Sequence, residues 1–103
     1  MEEVEKIKRQ IATGNTEDAI KRLEVIVNRL QEAMQVMPSH KAKNDLAEYF
    51  VLLGNAYRKK SVFKQALDYY QCAIDLNPDS PAVEARKHLI EILNFYHKDM
   101  FNH

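Results

Sequence analysis

The sequence predicts an all-α protein of about five helices, and three observations support this fold class. Large apolar residues recur at helical spacing, as at Phe50, Leu53 and Tyr57, which indicates a helix with one buried face. Hydrophobic residues make up 46% of the 103 residues and only two are glycine, which favours a compact helical chain over disorder. The three prolines lie at the ends of periodic segments. The length predicts one domain, residues 1–103.

The first helix is predicted for residues 2–12. Val4, Ile7 and Ile11 lie on one side of it, and glutamate and lysine occupy the remaining positions. This short amphipathic helix is predicted to end at Gly14.

The second helix is predicted to run to about Val36. Asn15 or Thr16 can cap its start, and two acidic residues follow in the first turn, where they suit the positive end of the helix dipole. Apolar residues then recur for about five turns. Pro38 marks the break before the next helix.

The third helix is predicted to begin near Ser39 or His40 and to run through Tyr57. Its apolar stripe extends backward in phase from the middle of the helix, through Ala42, Leu46, Tyr49 and Phe50. An alternative leaves residues 39–44 as a loop, in which case Asn44 caps the helix.

The fourth helix is predicted to start near Phe63, after a short turn at residues 60–62. Gly54, inside the third helix, needs an explanation because a helical glycine costs about 1 kcal/mol relative to alanine. We expect the third and fourth helices to cross closely at Gly54, with Ala66 and Ala73 at the contact and all three buried.

The fifth helix is predicted for residues 81–97. Ser80 can act as its N-cap with Pro81 at the first helical position, which is a favoured arrangement. Only one face of this helix is strongly apolar, and the residues after Leu93 mix aromatic, methionine and polar side chains.

Residues 47–80 resemble a tetratricopeptide repeat, with Ala47 as the first position of a 34-residue unit. The residues at the signature positions of that family are Phe50, where tryptophan is usual, and Leu53, Gly54, Tyr57, Ala66, Tyr70, Ala73 and Pro78. Ser61 departs from the pattern, because glycine is common in this turn. The aromatic tail resembles the tails of some small bacterial members. The resemblance implies a right-handed stack of antiparallel helix hairpins that serves as a protein-binding scaffold.

The resemblance also organises the rest of the chain. Residues 2–37 read as a degenerate first repeat, in which Ala19 stands where Ala66 stands later, and residues 81–97 read as a capping helix. These two alanines are 47 residues apart, 13 more than one repeat. Since 13 residues are close to a whole number of helical turns, we expect longer second and third helices.

In proteins of this family the first helix of each repeat lines a concave face. Carried over by position, the resemblance implies that a partner protein or peptide contacts Glu48, Val51, Asn55, Arg58 and Lys59, together with Arg86 on the following helix. One subfamily binds terminal carboxylates through a clamp that needs lysine where this chain has Val51, so a receptor for chaperone tails is disfavoured.

Four basic residues follow each other closely at Arg58, Lys59, Lys60 and Lys64. Such a cluster suits the C-terminal end of a helix and is favoured as a solvated turn. The alternative is a dedicated site for an anion or an acidic peptide.

Composition disfavours other classes of function. The fifteen acidic and fifteen basic residues balance, which argues against a nucleic-acid partner. We expect no membrane partner and a cytoplasmic location, because the longest apolar runs fall far short of a span and the start lacks a signal peptide. The four histidines are far apart and Cys72 has no neighbouring histidine, so we expect no enzyme activity, catalytic residue, cofactor or metal.

The aromatic tail offers an alternative function. Phe95, Tyr96, Met100 and Phe101 lie near the chain end, where polar and frayed sequence is usual. We favour a tail that folds back onto the core. The alternative is a self-associating protein, a homodimer through the terminal helix and tail.

Overall fold

The computed structural model describes the backbone of residues 2–101 and the side chains of residues 2–96. Within that part of the chain it contains five helices and no strand: α1 (Glu2–Ala12), α2 (Thr16–Val36), α3 (His40–Lys59), α4 (Phe63–Leu76) and α5 (Ala82–Phe101). Successive helices pack against each other in pairs, and α3 contacts α1, α2 and α4. The predicted all-α stack of five helices is confirmed.

The first hairpin, α1 and α2, is packed with aliphatic side chains. Each helix buries one stripe, Val4, Ile7 and Ile11 on α1 and Ala19, Ile20, Leu23 and Val27 on α2. Gly14 makes the turn with φ +88°, a conformation that residues with a Cβ adopt at a cost. Asn15 precedes α2, but its side chain accepts no capping hydrogen bond, so the expected side-chain cap is absent.

The long helices α2 and α3 contain 21 and 20 residues, against 11 in α1 and 14 in α4. Ser39 caps α3, because its Oγ accepts a hydrogen bond of 3.1 Å from the backbone N–H of Ala42. The predicted lengthening is confirmed, and the alternative loop at residues 39–44 is wrong. The α2–α3 connection is largely exposed, including Val36 at 85% and Met37 at 75%.

The second hairpin, α3 and α4, crosses at Gly54 as expected. A Cβ placed on Gly54 would lie 2.5 Å from Cδ1 and Cε1 of the Tyr70 ring, which is far too close for a real contact. Ala66 and Ala73 are fully buried. The predicted contact needs one correction, because the side chain that packs directly on Gly54 is the ring of Tyr70. Ser61 makes the turn with φ +65°, at the position where the family commonly has glycine.

Helix α5 begins at Ala82 and continues to Phe101, four residues beyond the predicted end. Ser80 caps it, with Oγ accepting from the Ala82 backbone N–H at 3.1 Å. Ala82 and Leu89 are buried against the core, whereas Phe95 is 65% exposed and Tyr96 62% exposed. The backbone stays helical to Phe101, and the rings of Phe95 and Tyr96 face solvent. The predicted fold-back of the tail onto the core is therefore wrong for the residues up to Tyr96. The side chains of Met100 and Phe101 lie outside the described residues.

The outer surface of α1, at the other side of the stack, is charged. Its exposed residues include Glu2, Glu3, Glu5, Lys6, Lys8 and Arg9. Among residues 2–101, no helix has both the length and the apolar character that crossing a membrane requires.

Candidate partner-binding groove

A groove runs along one face of α3. It consists of two cavities that share Asn55, one of about 350 Å³ and one of about 400 Å³. Lys8 of α1 and the segment from Asn77 to Pro81 before α5 form walls of the first cavity. Ile11 and Ala12 of α1 form a wall of the second. We refer to this surface as the α3 groove.

Five of the six residues implied by the resemblance line the α3 groove. Glu48, Val51 and Asn55 line the first cavity. Asn55, Arg58 and Lys59 line the second. The spacing along α3 places these side chains on one helical face, opposite the face that carries Phe50 and Leu53. The structure therefore brings the five together, and their contact with a partner stays a prediction.

Arg86 does not join them. It lies on α5, is partly buried, and lines neither cavity of the groove. Its Nε is buried and has no hydrogen-bond partner among the described residues. Ser80 and Pro81, just before α5, line the groove. Arg86 lies more than one turn further along the chain, within α5.

The floor of the groove is fixed by a buried tyrosine. The Tyr70 hydroxyl donates a hydrogen bond of 2.6 Å to Oδ1 of Asn55, and the Tyr70 side chain is fully buried. Burial raises the pKa of Tyr70, while the neighbouring Arg58 guanidinium lowers it in part. Arg58 thus lies near the Tyr70 hydroxyl, and the ring that packs on Gly54 positions Asn55 through this hydrogen bond.

The groove carries more positive than negative charge. Lys8, Arg58 and Lys59 are its basic residues and Glu48 is its acidic residue. Arg58 and Lys59 take part in none of the ion pairs found among the described residues. The arrangement provides an electropositive end on α3 beside apolar and amide surface.

The other two basic residues of the turn behave differently. Lys60 pairs with Glu17 of α2, and Lys64 pairs with Asp68 at 3.3 Å on the surface of α4. Neither lines the groove. The solvated-turn interpretation therefore suits Lys60 and Lys64 better than it suits Arg58 and Lys59.

Sequence reasoning did not identify the walls of the groove. They are formed by Lys8, Ile11 and Ala12 on α1, and by Asn44, Asn77, Ser80 and Pro81. The α1 residues were missed because α1 has no signature residue that fixes its register. The cap residues Ser80 and Pro81 were recognised for their role in starting α5, which is the only sequence feature that points to them.

A separate cavity of about 420 Å³ lies on the other side of α3, between α2 and α4. We call it the α2–α4 cleft. Phe50 and Leu53 form its floor, Glu24 lies on its α2 wall and Tyr69 on its α4 wall. Tyr69 stacks between two rings, at centroid distances of 5.9 Å from Phe50 and 5.5 Å from Tyr57.

Cys72 also lines the α2–α4 cleft. Partial burial, followed by the carboxylates of Asp75 and Asp68, raises the pKa of its thiol. A raised pKa disfavours the thiolate, which is the reactive form. Among the described residues no group of three or more histidine, cysteine, aspartate or glutamate side chains is placed to hold a metal ion.

Comparisons with known proteins give two matches. The family model described as Tetratricopeptide repeat matches residues 47–80. The chain is 44% identical to Bacteroides fragilis protein BF1650, whose solution NMR structure it matches with a TM-score of 0.73, over 99% of this chain and 91% of that one. The comparison with curated proteins finds no match.

Proposed function

Because the chain belongs to the tetratricopeptide repeat family, we propose that it is a non-enzymatic interaction module that binds a segment of a partner protein in the α3 groove. Glu48, Val51, Asn55, Arg58 and Lys59 are the proposed contact residues. Arg86 is proposed only as a residue of the adjoining surface, because it lines neither cavity.

The observation that carries this proposal is the support beneath the groove. Asn55 is held by the 2.6 Å hydrogen bond from Tyr70, and Tyr70 is held by its close packing on Gly54. A side chain that is already fixed loses little conformational entropy when a partner binds. The groove is therefore preorganised at its centre, where the two cavities meet.

The dimensions of the groove favour a short extended segment. From Asn44 to Lys59 the axis of α3 rises by about 22 Å, at about 1.5 Å per residue. An extended peptide of about seven residues covers that distance at about 3.3 Å per residue. Val51 and Ile11 offer apolar contact along it, and Arg58 and Lys59 favour a carboxylate at that end.

A partner captured from a lysate of the source organism and then purified provides the test. We expect Arg58→Glu to weaken its binding about tenfold or more in calorimetric titration, since the substitution reverses the charge at the end of the groove. Arg29→Glu is the matched control, because Arg29 is an exposed arginine of α2 outside every described cavity. Equal affinity of the two variants, or a selective loss with Arg29→Glu, contradicts the proposal.

Self-association is the second candidate function, and the exposed end of α5 favours it. Phe95 and Tyr96 form an edge-to-face pair at 5.9 Å while both remain more than 60% exposed. They border a cavity of about 300 Å³ with Ile92 and His88. Exposed apolar patches of this kind usually mark contact surfaces.

Sedimentation equilibrium separates the two candidates. A homodimer that becomes a monomer on substitution of Phe95 and Tyr96 by serine, with unchanged helicity, supports self-association through α5. A wild-type monomer at high concentration contradicts it and leaves the groove as the proposed surface. We also propose a cytoplasmic location, since a reducing compartment suits the free, exposed thiol of Cys72.

A further inference from the structure

The cavity on the exposed face of α5 belongs neither to the α3 groove nor to the core. Its volume is about 300 Å³, and the residues that line it are His88, Glu91, Ile92, Phe95 and Tyr96. We refer to it as the α5 cavity. The residues that α5 packs against the core lie on a neighbouring face of the helix and are Ala82, Ala85, Leu89 and Leu93.

The spacing of the lining residues fits a helix as the occupant of the α5 cavity. Counted from His88, four of these residues stand at positions i, i+3, i+4 and i+7: His88, Glu91, Ile92 and Phe95. Four residues at this spacing form the hole that receives one side chain, the knob, from a facing helix. The α5 cavity therefore has the geometry of such a hole.

The same helix also presents a knob. Phe95 is 65% exposed and Tyr96 is 62% exposed, and the two rings pack edge to face. The centre of the hole lies between Glu91 and Ile92, about one helical turn before Phe95. One chain thus carries both a hole and an aromatic knob, so a second copy can supply the knob for this hole and receive one in return.

The offset between knob and hole selects an antiparallel pair of helices. If two copies of α5 cross near Leu93, midway between the hole centre and Phe95, each Phe95 lies level with the hole of the other copy. The backbone of α5 is helical to Phe101, so the second helix is long enough to cover the hole. In a parallel pair each residue would lie level with its own copy, and the two Glu91 carboxylates would face each other.

The antiparallel pair also matches the polar groups at the edge of the cavity. With the crossing near Leu93, Tyr96 of one copy lies level with Glu91 of the other. Glu91 is exposed and takes part in none of the ion pairs found among the described residues. The Tyr96 hydroxyl can therefore donate a charge-assisted hydrogen bond to that carboxylate while its ring makes apolar contact.

The area of the patch sets the strength of such a pair. At 65% and 62% exposure, Phe95 and Tyr96 each leave roughly 100–150 Å² uncovered, given that a buried aromatic residue covers about 150–250 Å². The rings of both copies together therefore bury about 400–600 Å². Even with the other lining residues the interface stays below the roughly 1,200 Å² of stable specific complexes, so we expect a Kd of roughly 10–100 µM.

We propose that α5 pairs antiparallel with α5 of a second copy, with each Phe95 ring seated in the α5 cavity of the other copy and each Tyr96 hydroxyl donating to Glu91 of the other copy. This arrangement rests on self-association through α5, the second candidate function, and specifies its geometry. It involves no residue that lines the α3 groove.

NMR on a mixture of isotope-labelled and unlabelled wild-type chains tests the arrangement, at about 1 mM and so well above the expected Kd. We expect isotope-filtered NOEs between the Phe95 ring of one copy and the His88 ring of the other, because His88 borders the hole. A parallel pair would separate these two rings by about 10 Å along the helix axis, beyond the reach of an NOE.

A pair of tyrosine variants tests the hydrogen bond. Tyr96→Phe should weaken the dimer about tenfold in sedimentation equilibrium, because the dimer loses two charge-assisted hydrogen bonds at once. Tyr49→Phe is the matched control, since Tyr49 is a half-buried tyrosine of α3 that does not line the α5 cavity, and it should change the Kd less than twofold.

The outcomes distinguish this geometry from self-association itself. A wild-type chain that sediments as a monomer at about 1 mM overturns both. A dimer without NOEs between Phe95 and His88 of different copies, or a dimer whose Kd is unchanged by Tyr96→Phe, overturns the antiparallel arrangement and leaves self-association standing. None of these results bears on the α3 groove, because the two sites share no residue.

Discussion

The two helix hairpins of this protein solve the same packing problem with different side chains. In the α3–α4 hairpin, Gly54 lies against the ring of Tyr70, and Tyr69 stacks between two further rings. In the α1–α2 hairpin the buried side chains are aliphatic apart from Thr16, and neither helix contains a glycine. Each hairpin nevertheless places one fully buried alanine early in its second helix, Ala19 and Ala66.

This difference explains why one hairpin has a recognisable sequence and the other does not. A ring packed directly on a helix backbone tolerates only glycine beneath it, so the residues at that crossing are dictated by geometry. Aliphatic side chains of similar volume replace each other at a cost of about 1.5 kcal/mol or less, so many sequences can build the first hairpin. The first hairpin therefore lacks a recognisable sequence because its packing residues are interchangeable.

The largest effect is expected for Gly54→Val. The new side chain must displace the Tyr70 ring, which is fully buried and hydrogen-bonded to Asn55, so we expect a loss of about 3 kcal/mol in the free energy of unfolding. Urea denaturation followed by circular dichroism measures it. Ala12→Val, on an exposed residue of α1, is the control and should lose less than about 1 kcal/mol. Similar losses for both would show that the close crossing is absent in solution.

A pair of substitutions tests whether the two hairpins share their small-residue site. Ala66→Leu and Ala19→Leu should each cost about 1–3 kcal/mol, because both alanines are fully buried and leucine overpacks them. The same denaturation experiment compares them. A loss within error for Ala19→Leu alone would mean that the first hairpin lacks the tight site and resembles a repeat only in outline.

Substitutions in the turns of the two hairpins, at Gly14 and at Ser61, should change stability in opposite directions. Gly14→Ala should cost about 1 kcal/mol, since φ is +88° and no atom lies near the added Cβ, so the cost comes from the backbone alone. Ser61→Gly should gain about 0.5 kcal/mol by relieving a non-glycine residue at φ +65°. Thermal denaturation of both variants beside the wild type measures the two shifts. Shifts of the same sign would contradict this account of the turns.

A smaller change in the free energy of unfolding is expected in alkaline solution, and it arises from the second hairpin. Tyr49, Tyr57, Tyr69 and Tyr70 lie in α3 and α4, each with a pKa raised above 10.0, chiefly by burial, whereas α1 and α2 contain no tyrosine. Above pH 10 the unfolded chain loses these protons first, so the free energy of unfolding should fall as pH rises through the raised pKa values. Urea denaturation at pH 8 and at pH 10.5 measures the change. An unchanged or larger free energy at pH 10.5 would contradict it.

The smallest effect is expected for Arg58→Glu, which should change stability by no more than about 0.5 kcal/mol. Arg58 forms no described ion pair and lines the open groove, so its replacement removes little from the fold. This near-neutral result is what makes the variant usable in the binding experiment. A loss above 1 kcal/mol would assign Arg58 a structural role at the Tyr70 hydroxyl.

Most of the fold could be predicted from the sequence because helical periodicity and capping residues are local. Ser80 caps α5 as the sequence predicts, and the phase of the apolar stripe correctly assigned the extra residues to α2 and α3. Asn15 shows the limit of this reasoning. A capping residue usually has an extended backbone, whereas Asn15 has φ −83° and ψ 57° and its side chain makes no capping bond.

The groove was less predictable because it depends on how helices from different hairpins are placed relative to each other. Helical spacing along α3 correctly placed five side chains on one face. Lys8 and Ile11 line the same groove from α1, and no signature residue indicates the rotation of α1 about its axis. The position of Arg86 relative to the groove depends on the direction of α5. The apolar face of a single helix does not specify that direction. The α2–α4 cleft lies between helices of different hairpins, so no local sequence pattern indicates it.

The contrast between the surfaces of α1 and α5 limits what kind of assembly the protein can form. The exposed face of α1 carries carboxylates, ammonium groups and a guanidinium, whereas α5 exposes Phe95 and Tyr96 among its polar residues. A head-to-tail contact would place these rings against a charged surface and bury less apolar area than a contact between two ring patches. Copies that meet through these rings would instead use the same patch on both molecules, related by a twofold axis. Such a contact joins two copies and leaves no free patch for a third. This patch alone therefore cannot support open-ended polymerisation.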